Sequence, residues 1–116
     1  MRMNVFEMEG FLRGKCVPRD LKVNETNAEY LVRKFDEVRA EARNEGINYT
    51  ASRLAAAFNH GFINKPLAEV FDVTRMILSA KEELANESHP IDGLSGEYAE
   101  KSLEEWAERL RKGSSQ

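Results

Sequence analysis

The amino-acid sequence predicts an all-α protein, a small bundle of four to five helices with a corner resembling a helix-turn-helix around Gly61. Three observations support this fold class. Apolar residues recur at spacings of three and four, no segment alternates steadily between apolar and polar residues, and 32% of the residues are charged with both signs mixed. The 116 residues are enough for one domain with a modest core.

A short helix and an irregular connector make up the predicted N-terminal region, residues 1–23. The helix spans residues 4–13, since Asn4 is a good N-cap and Gly14 is a good helix end. Pro18 interrupts the residues that follow, which predicts a connector without regular structure.

A helical core is predicted over residues 24–86. Its first helix begins at Asn24 or Thr26 and ends at Gly46, a residue type that often terminates helices. Apolar residues with the spacing of a coiled-coil seam follow this helix: Ala28, Leu31, Phe35, Val38 and Ala42. The seam either packs on the protein's own core or pairs two copies of the chain through Leu31, Phe35 and Val38. Because a chain this small often completes its core by pairing, we expect a homodimer.

Two further helices are predicted to meet at the corner around Gly61. Thr50 is the expected N-cap of the first helix, and Gly61 ends it. Asn64 is the expected N-cap of the second helix, which has Pro66 in its first turn and continues to Asn86.

The corner has the outline of a DNA-binding helix-turn-helix. Small and apolar residues occupy the offsets that this motif requires, namely Ala57, Gly61 and Leu67. The residues available to contact DNA would be Arg53, Asn64 and Lys65. The second helix also carries Glu69 and Asp72, whose carboxylates would face phosphate groups at an energetic cost. We therefore interpret the corner as structural and keep a small DNA-binding regulator as an alternative.

The C-terminal part consists of a predicted linker over residues 87–96, a helix over residues 97–112 and a tail over residues 113–116. The linker is predicted because Pro, Gly and Ser cluster in it. Trp and Tyr on this helix are residue types that anchor protein interfaces. Neighbouring acidic residues and apolar residues of the N-terminal helix complete the predicted partner-binding set: Trp106, Tyr98, Glu97, Glu104, Glu105, Phe6 and Phe11.

Neither catalysis nor cofactor binding is predicted. Cys16 is the only cysteine, His60 and His89 are far apart, and no metal-ligand spacing or phosphate-binding loop occurs. We therefore expect a non-enzymatic protein with no catalytic residues, metal or cofactor. The net charge of -3 disfavours nucleic acid and anionic membranes as partners. The single cysteine, with no signal peptide and no apolar run of membrane length, indicates the cytoplasm.

The run FLRGKCVPRDLKVNETNAEYLVRKFD, from Phe11 to Asp36, resembles the opening segment of accessory proteins from the early regions of lambdoid phages and of prophages of enteric bacteria. In those proteins a similar opening is joined to varied downstream sequence, often coiled-coil. The resemblance implies a phage-encoded protein made in the cytoplasm of its bacterial host. It carries over no catalytic residues.

The leading hypothesis is a phage accessory protein that binds and inhibits a host or phage protein, in a counter-defence role. The first alternative is the DNA-binding regulator. The second is a structural or assembly subunit that works through its coiled seam.

Overall fold

The computed structural model describes residues 3–86 and 93–114, and within them the chain is all-α, as predicted. These ranges contain no strand and four helices: α1 (Val5–Leu12), α2 (Asn27–Asn59), α3 (Leu67–Asn86) and α4 (Glu97–Ser114). None of the helices there is long and apolar enough to cross a membrane. The chain divides into two compact units, Met1–Lys81 and Glu82–Gln116. Most of the predicted linker, residues 87–92, lies outside the described residues, as do residues 115 and 116 of the predicted tail.

Helix α1 begins and ends where the sequence predicts. Asn4 Oδ1 accepts a hydrogen bond from the backbone N–H of Glu7 at 2.8 Å, which caps the first turn. At the other end Gly14 has a φ of 76°, in the left-handed region that glycine adopts without strain. The backbone N–H of Lys15 then donates to the carbonyl oxygen of Gly10 at 2.7 Å, which closes the helix as a Schellman motif.

Helix α2 is one continuous helix of 33 residues, so the predicted helix end at Gly46 is wrong. Thr26 caps its start, and its hydroxyl and the Glu29 carboxylate each accept the other residue's backbone N–H. The helix then runs through Gly46, and the Thr50 hydroxyl donates to the Gly46 carbonyl at 2.9 Å instead of capping a new helix. A glycine in a helix interior costs only about 1 kcal/mol, which a long helix packed at both ends tolerates.

The corner between α2 and α3 forms around Gly61, as predicted. Gly61 has a φ of 80°, and the N–H of Phe62 donates to the carbonyl of Ala57 at 2.8 Å, which ends α2. Helix α3 begins at Leu67, two residues later than the start at Lys65 that an N-cap at Asn64 predicts. The carbonyl of Pro66 accepts the first hydrogen bonds of this helix.

Helices α2 and α3 form an antiparallel hairpin. Lys81 Nζ donates to Asn48 Oδ1 at 2.6 Å. Asn48 lies about three turns before the end of α2, and Lys81 lies about four turns into α3. Helices that remain in contact so far from their corner run side by side, whereas the helices of a helix-turn-helix cross at roughly 90–120°. The corner is therefore the turn of an αα-hairpin.

The buried apolar side chains of the described residues occupy two places along α2. Phe11 and Tyr30 are buried where α1 meets the first half of this helix, and Ala51 and Val70 are buried where α3 meets the second half. The predicted bundle around one common core is not confirmed, because packing in the first unit is pairwise along α2. Many apolar side chains consequently remain exposed.

Candidate functional site

An aromatic contact joins α1 to the first half of α2. The rings of Phe11 and Tyr30 are each 1% exposed, and their centroids lie 5.5 Å apart in an edge-to-face arrangement. This geometry suits the charge distribution of two aromatic rings. We use the term N-terminal module for α1, the connector and the first half of α2, residues 4–45.

Charged residues fix the connector to α2 around this aromatic pair. The Tyr30 hydroxyl donates to Asp20 Oδ1 at 2.8 Å, and the Lys34 ammonium pairs with the other oxygen of the same carboxylate. Lys34 also donates to Glu37 Oε2 at 2.9 Å, which accounts for a charged side chain that is only 8% exposed. The buried charge is therefore paired within the module.

Arg33 holds the end of the connector. Its guanidinium donates two hydrogen bonds of 2.9 Å to the Glu25 carboxylate, the bidentate geometry in which arginine binds carboxylates most strongly. It also donates to the backbone carbonyl of Asp20 at 2.9 Å and to Glu37 at 3.0 Å. One side chain thus connects two points of the connector to α2.

These contacts shift the pKa values of the carboxyl groups downward. Hydrogen bonds from Lys34 and then Tyr30 lower the pKa of Asp20 to about 2. Hydrogen bonds from the Arg33 side chain, followed by one from a backbone N–H, lower the pKa of Glu25 to about 2.

The partners of these carboxylates shift in the opposite sense. The hydrogen bond to Asp20 is the main reason that the pKa of Lys34 is raised, and loss of solvation is the main reason that the pKa of Tyr30 is raised. At neutral pH Asp20 and Glu25 are therefore ionised while Lys34 and Tyr30 are protonated, which is the protonation state in which these hydrogen bonds form.

A groove of about 560 Å³ lies between α1, the connector and α2. The Cys16 thiol lines it and donates a weak hydrogen bond to the carbonyl of Glu7 at 3.4 Å. The thiol also fits against Gly10, where an added Cβ would lie 2.5 Å from Cys16 Sγ. Cys16 and Gly10 therefore have a packing role that the sequence did not reveal. Within residues 3–86 and 93–114, no three potential metal ligands come together.

The two phenylalanines predicted to bind a partner have different environments. Phe6 is 84% exposed on α1 and remains available. Phe11 is buried against Tyr30, so its assignment to the partner-binding surface is corrected to a core role. The helical phase decides this difference, because residues five positions apart point to different sides of a helix.

Helix α4 presents one apolar face. Leu103, Trp106 and Leu110 lie three and four residues apart, so their side chains share one side of the helix. All three are exposed, with half of the Trp106 side chain accessible. The helix also includes Gly113 and Ser114, which the sequence assigned to the tail.

The acidic residues predicted to act with Trp106 do not all lie beside it. At 100° per residue, Glu97 and Glu104 are on roughly the opposite side of α4 from Trp106. Tyr98 and Glu105 share a flank next to the apolar face. A partner that covers Trp106 can therefore contact Tyr98 and Glu105, whereas the other two carboxylates face away from it.

The three residues of the DNA-binding alternative are distributed over the αα-hairpin. Arg53 is on α2, with its guanidinium 5.9 Å from the centre of the Tyr49 ring. Asn64 and Lys65 are in the connection between the helices. Lys65 and Glu69 line the same pocket of about 250 Å³, so an acidic side chain lies beside the basic one. An acidic side chain beside Lys65 weakens the attraction of this pocket for a phosphate group.

The predicted self-association seam lies on the exposed side of α2. Leu31 is partly exposed, while Phe35 and Val38 are 68% and 42% exposed. Because α2 continues past Gly46, the same side of the helix also carries Tyr49, which is 65% exposed. Sequence reasoning missed Tyr49 since it ended the helix too early.

Comparison with known proteins supports a phage-related accessory protein. Residues 4–45 match the family model described as "YfdS protein N-terminal domain". The chain is 90% identical over 41 residues to "Uncharacterized protein YfdS" of Escherichia coli (strain K12), a match that covers 35% of this chain and 34% of that protein. It is 36% identical over 77 residues to "Eae protein" of Salmonella phage P22, a match that covers 66% of this chain and 46% of that protein. No solved structure matches the chain.

The predicted resemblance to phage accessory proteins is thus confirmed at this general level. The chain spans less than half of the length of either of these two relatives. The matched residues 4–45 coincide with the N-terminal module, in which the aromatic pair and the charge network lie. The module is therefore the part of this chain that is similar to a known family, and the names of the relatives state no activity.

Proposed function

We propose that the chain is a non-enzymatic phage accessory protein that binds and inhibits a host or phage protein in the bacterial cytoplasm, in a counter-defence role. The observation that supports this most directly is the exposed apolar face of α4 centred on Trp106. An amphipathic helix of this kind binds by placing its apolar face in a groove of its partner. The similarity to a phage protein supports the cellular context.

The composition of α4 favours a protein groove over a lipid surface. Its apolar residues occupy one side, and acidic residues such as Glu97 and Glu104 occupy the other. Helices that bind anionic lipid carry mainly Lys and Arg on the polar face. Tryptophan is also the residue type that most often dominates protein interfaces.

The test combines affinity capture with a matched pair of variants. The full chain is used to capture partners from lysate of an enteric bacterium, with and without phage infection, and the captured protein is purified and titrated by calorimetry. Trp106→Ala should weaken binding roughly 30-fold or more, because a central interface tryptophan contributes at least about 2 kcal/mol. Glu104→Ala, on the opposite side of the same helix, should change the affinity by less than about threefold.

Two further measurements complete the test. Circular dichroism must show unchanged helix content in both variants, and the partner's own activity must fall when the wild-type chain is added. Unchanged affinity of the Trp106→Ala variant would show that α4 is not the binding surface. Binding without any loss of partner activity would contradict the inhibitory role.

A further inference from the structure

We propose that two copies of this chain pair through α2 as an antiparallel homodimer, with the two-fold axis near Ala42. The surface concerned, which we call the α2 face, is defined by the exposed seam residues and their continuation beyond Gly46: Phe35, Val38, Ala42 and Tyr49. This surface is on a different helix from Trp106, so it is a second interaction surface in addition to the one proposed above.

The α2 face is largely exposed in the first unit. Phe35 and Tyr49 are each about two-thirds exposed, and Val38 is 42% exposed. In contrast, Tyr30 and Lys34 on another side of α2 are buried under the connector. Exposed aromatic side chains aligned along one helix are a common sign of an interface.

The charged residues beside the α2 face are complementary to those of a second copy that runs in the opposite direction. Arg39 lies three residues before Ala42, and Glu45 lies three residues after it. The two residues lie on opposite flanks of the α2 face, because six residues turn an α-helix by about 240°. In an antiparallel pair centred on Ala42, each Arg39 lies level with the other copy's Glu45 across the seam, so the two copies present opposite charges at the same height. In a parallel pair Arg39 would lie level with Arg39 and Glu45 with Glu45, which is less favourable.

The aromatic residues follow the same symmetry. Phe35 is seven residues before Ala42, and Tyr49 is seven residues after it, two turns away on the same side of the helix. The antiparallel arrangement places each Phe35 against the other copy's Tyr49. A two-fold interface requires this kind of reciprocal contact, in which one patch binds itself.

Small residues at the centre allow the two helices to approach. Ala42 is exposed at the proposed axis, and Gly46 is one turn further on. A Cβ added to Gly46 would meet no atom of the described residues within 4 Å, so no contact among those residues requires glycine there. The distance between packed helices falls with the size of the side chains at their contact.

The exposed area is sufficient for a weak but specific dimer. A buried aromatic side chain contributes 150–250 Å², so Phe35 and Tyr49, two-thirds exposed, together offer roughly 250 Å² per copy. A specific interface needs roughly 500 Å² per partner, and Val38, Leu31 and the aliphatic part of Arg39 supply the remainder. We therefore expect a dissociation constant in the micromolar range rather than the nanomolar range.

Sedimentation equilibrium of the full chain over a range of concentrations tests the surface. The wild-type chain should change from monomer to dimer, and Phe35→Asp should raise the dissociation constant roughly 30-fold or more. The matched control is Met76→Asp, since Met76 is 66% exposed on α3, outside the α2 face. It should dimerise like the wild type, and circular dichroism should show equal helix content in all three proteins.

Charge reversal tests the antiparallel arrangement. Arg39→Glu and Glu45→Arg should each weaken the dimer roughly threefold, because each places two pairs of like charges at the same level of a solvent-exposed interface. The double variant should restore the wild-type dissociation constant. Failure of the double variant to recover would overturn the antiparallel pairing.

Three other outcomes would overturn the proposal as a whole. The wild-type chain could remain a monomer at millimolar concentration, the Phe35→Asp variant could dimerise normally, or assembly could continue beyond the dimer. The Trp106→Ala variant should still dimerise, so the result of this experiment does not depend on whether α4 binds another protein.

Discussion

Replacement of Phe11 by alanine tests whether the aromatic contact between α1 and α2 stabilises the N-terminal module. Phe11 is 1% exposed, and its ring packs on Tyr30 at 5.5 Å between centroids. Removing a fully buried phenyl ring loses about 1.5–3 kcal/mol of transfer free energy. The cavity that remains and the lost ring pair raise the total to about 3–5 kcal/mol.

A loss of this size is large for a small module. Folded domains are stable by only about 5–15 kcal/mol in total. In the described part of the first unit, Phe11 and Tyr30 are the two largest fully buried side chains. We therefore expect α1 to open from α2 in the Phe11→Ala variant, while the αα-hairpin of α2 and α3 stays folded.

Hydrogen exchange of the backbone amides in α1 measures this opening directly. Protection of these amides should fall by more than about 100-fold in the Phe11→Ala variant, corresponding to at least about 3 kcal/mol. The control is Phe6→Ala on the same helix, where an 84% exposed side chain is removed. It should change stability by less than about 0.5 kcal/mol. Equal loss of protection in both variants would refute the assignment of Phe11 to the core.

Two further predictions concern the same module. Because the pKa values of Asp20 and Glu25 are lowered to about 2 from ordinary values near 4, their stabilising effect is complete above about pH 4 and is lost as the pH falls toward 2. Exchange protection of α1 should fall over that range, and the Asp20→Asn variant should show a weaker acid dependence. Gly10→Ala should gain less than the roughly 1 kcal/mol that alanine usually gains over glycine in a helix, because the new Cβ would lie 2.5 Å from Cys16 Sγ and the exposed thiol would have to rotate away. Urea denaturation of the Gly10→Ala/Cys16→Ala double variant should show recovery of this gain, since Cys16 Cβ lies at an ordinary 3.8 Å from that position; no recovery would show that the thiol is not the cause.

Local sequence signals predicted four helix ends correctly, whereas the N-caps predicted at Thr50 and Asn64 are wrong. Asn4 and Thr26 cap α1 and α2 with the expected hydrogen bonds, and Gly14 and Gly61 end them with a positive φ. The same reasoning failed at Gly46, because a glycine is compatible with a helix interior as well as with a helix end. Only the φ angle and the neighbouring contacts distinguish the two cases.

The candidate site was only partly visible in the sequence. The spacing of Leu103, Trp106 and Leu110 predicts an apolar face once the helix is known. The contact of Arg33 with the connector was less visible, because one of its two carboxylate partners, Glu25, lies there, eight residues away. Glu29, at the favourable spacing of four residues, instead caps the start of α2. Where a side chain has two possible partners, only the path of the chain shows which of them it binds.

The sequence by itself determined the all-α class, the caps at Asn4 and Thr26, the corner at Gly61 and the amphipathic pattern of α4, because each depends on residues within about one or two turns of one another. The tertiary structure decided that Phe11 is buried while Phe6 is exposed, that α2 continues through Gly46, and that α2 and α3 lie side by side. These features depend on contacts between residues far apart in the chain. The free energies of these contacts depend on which surfaces pack together, and the local pattern of residues does not specify which surfaces those are.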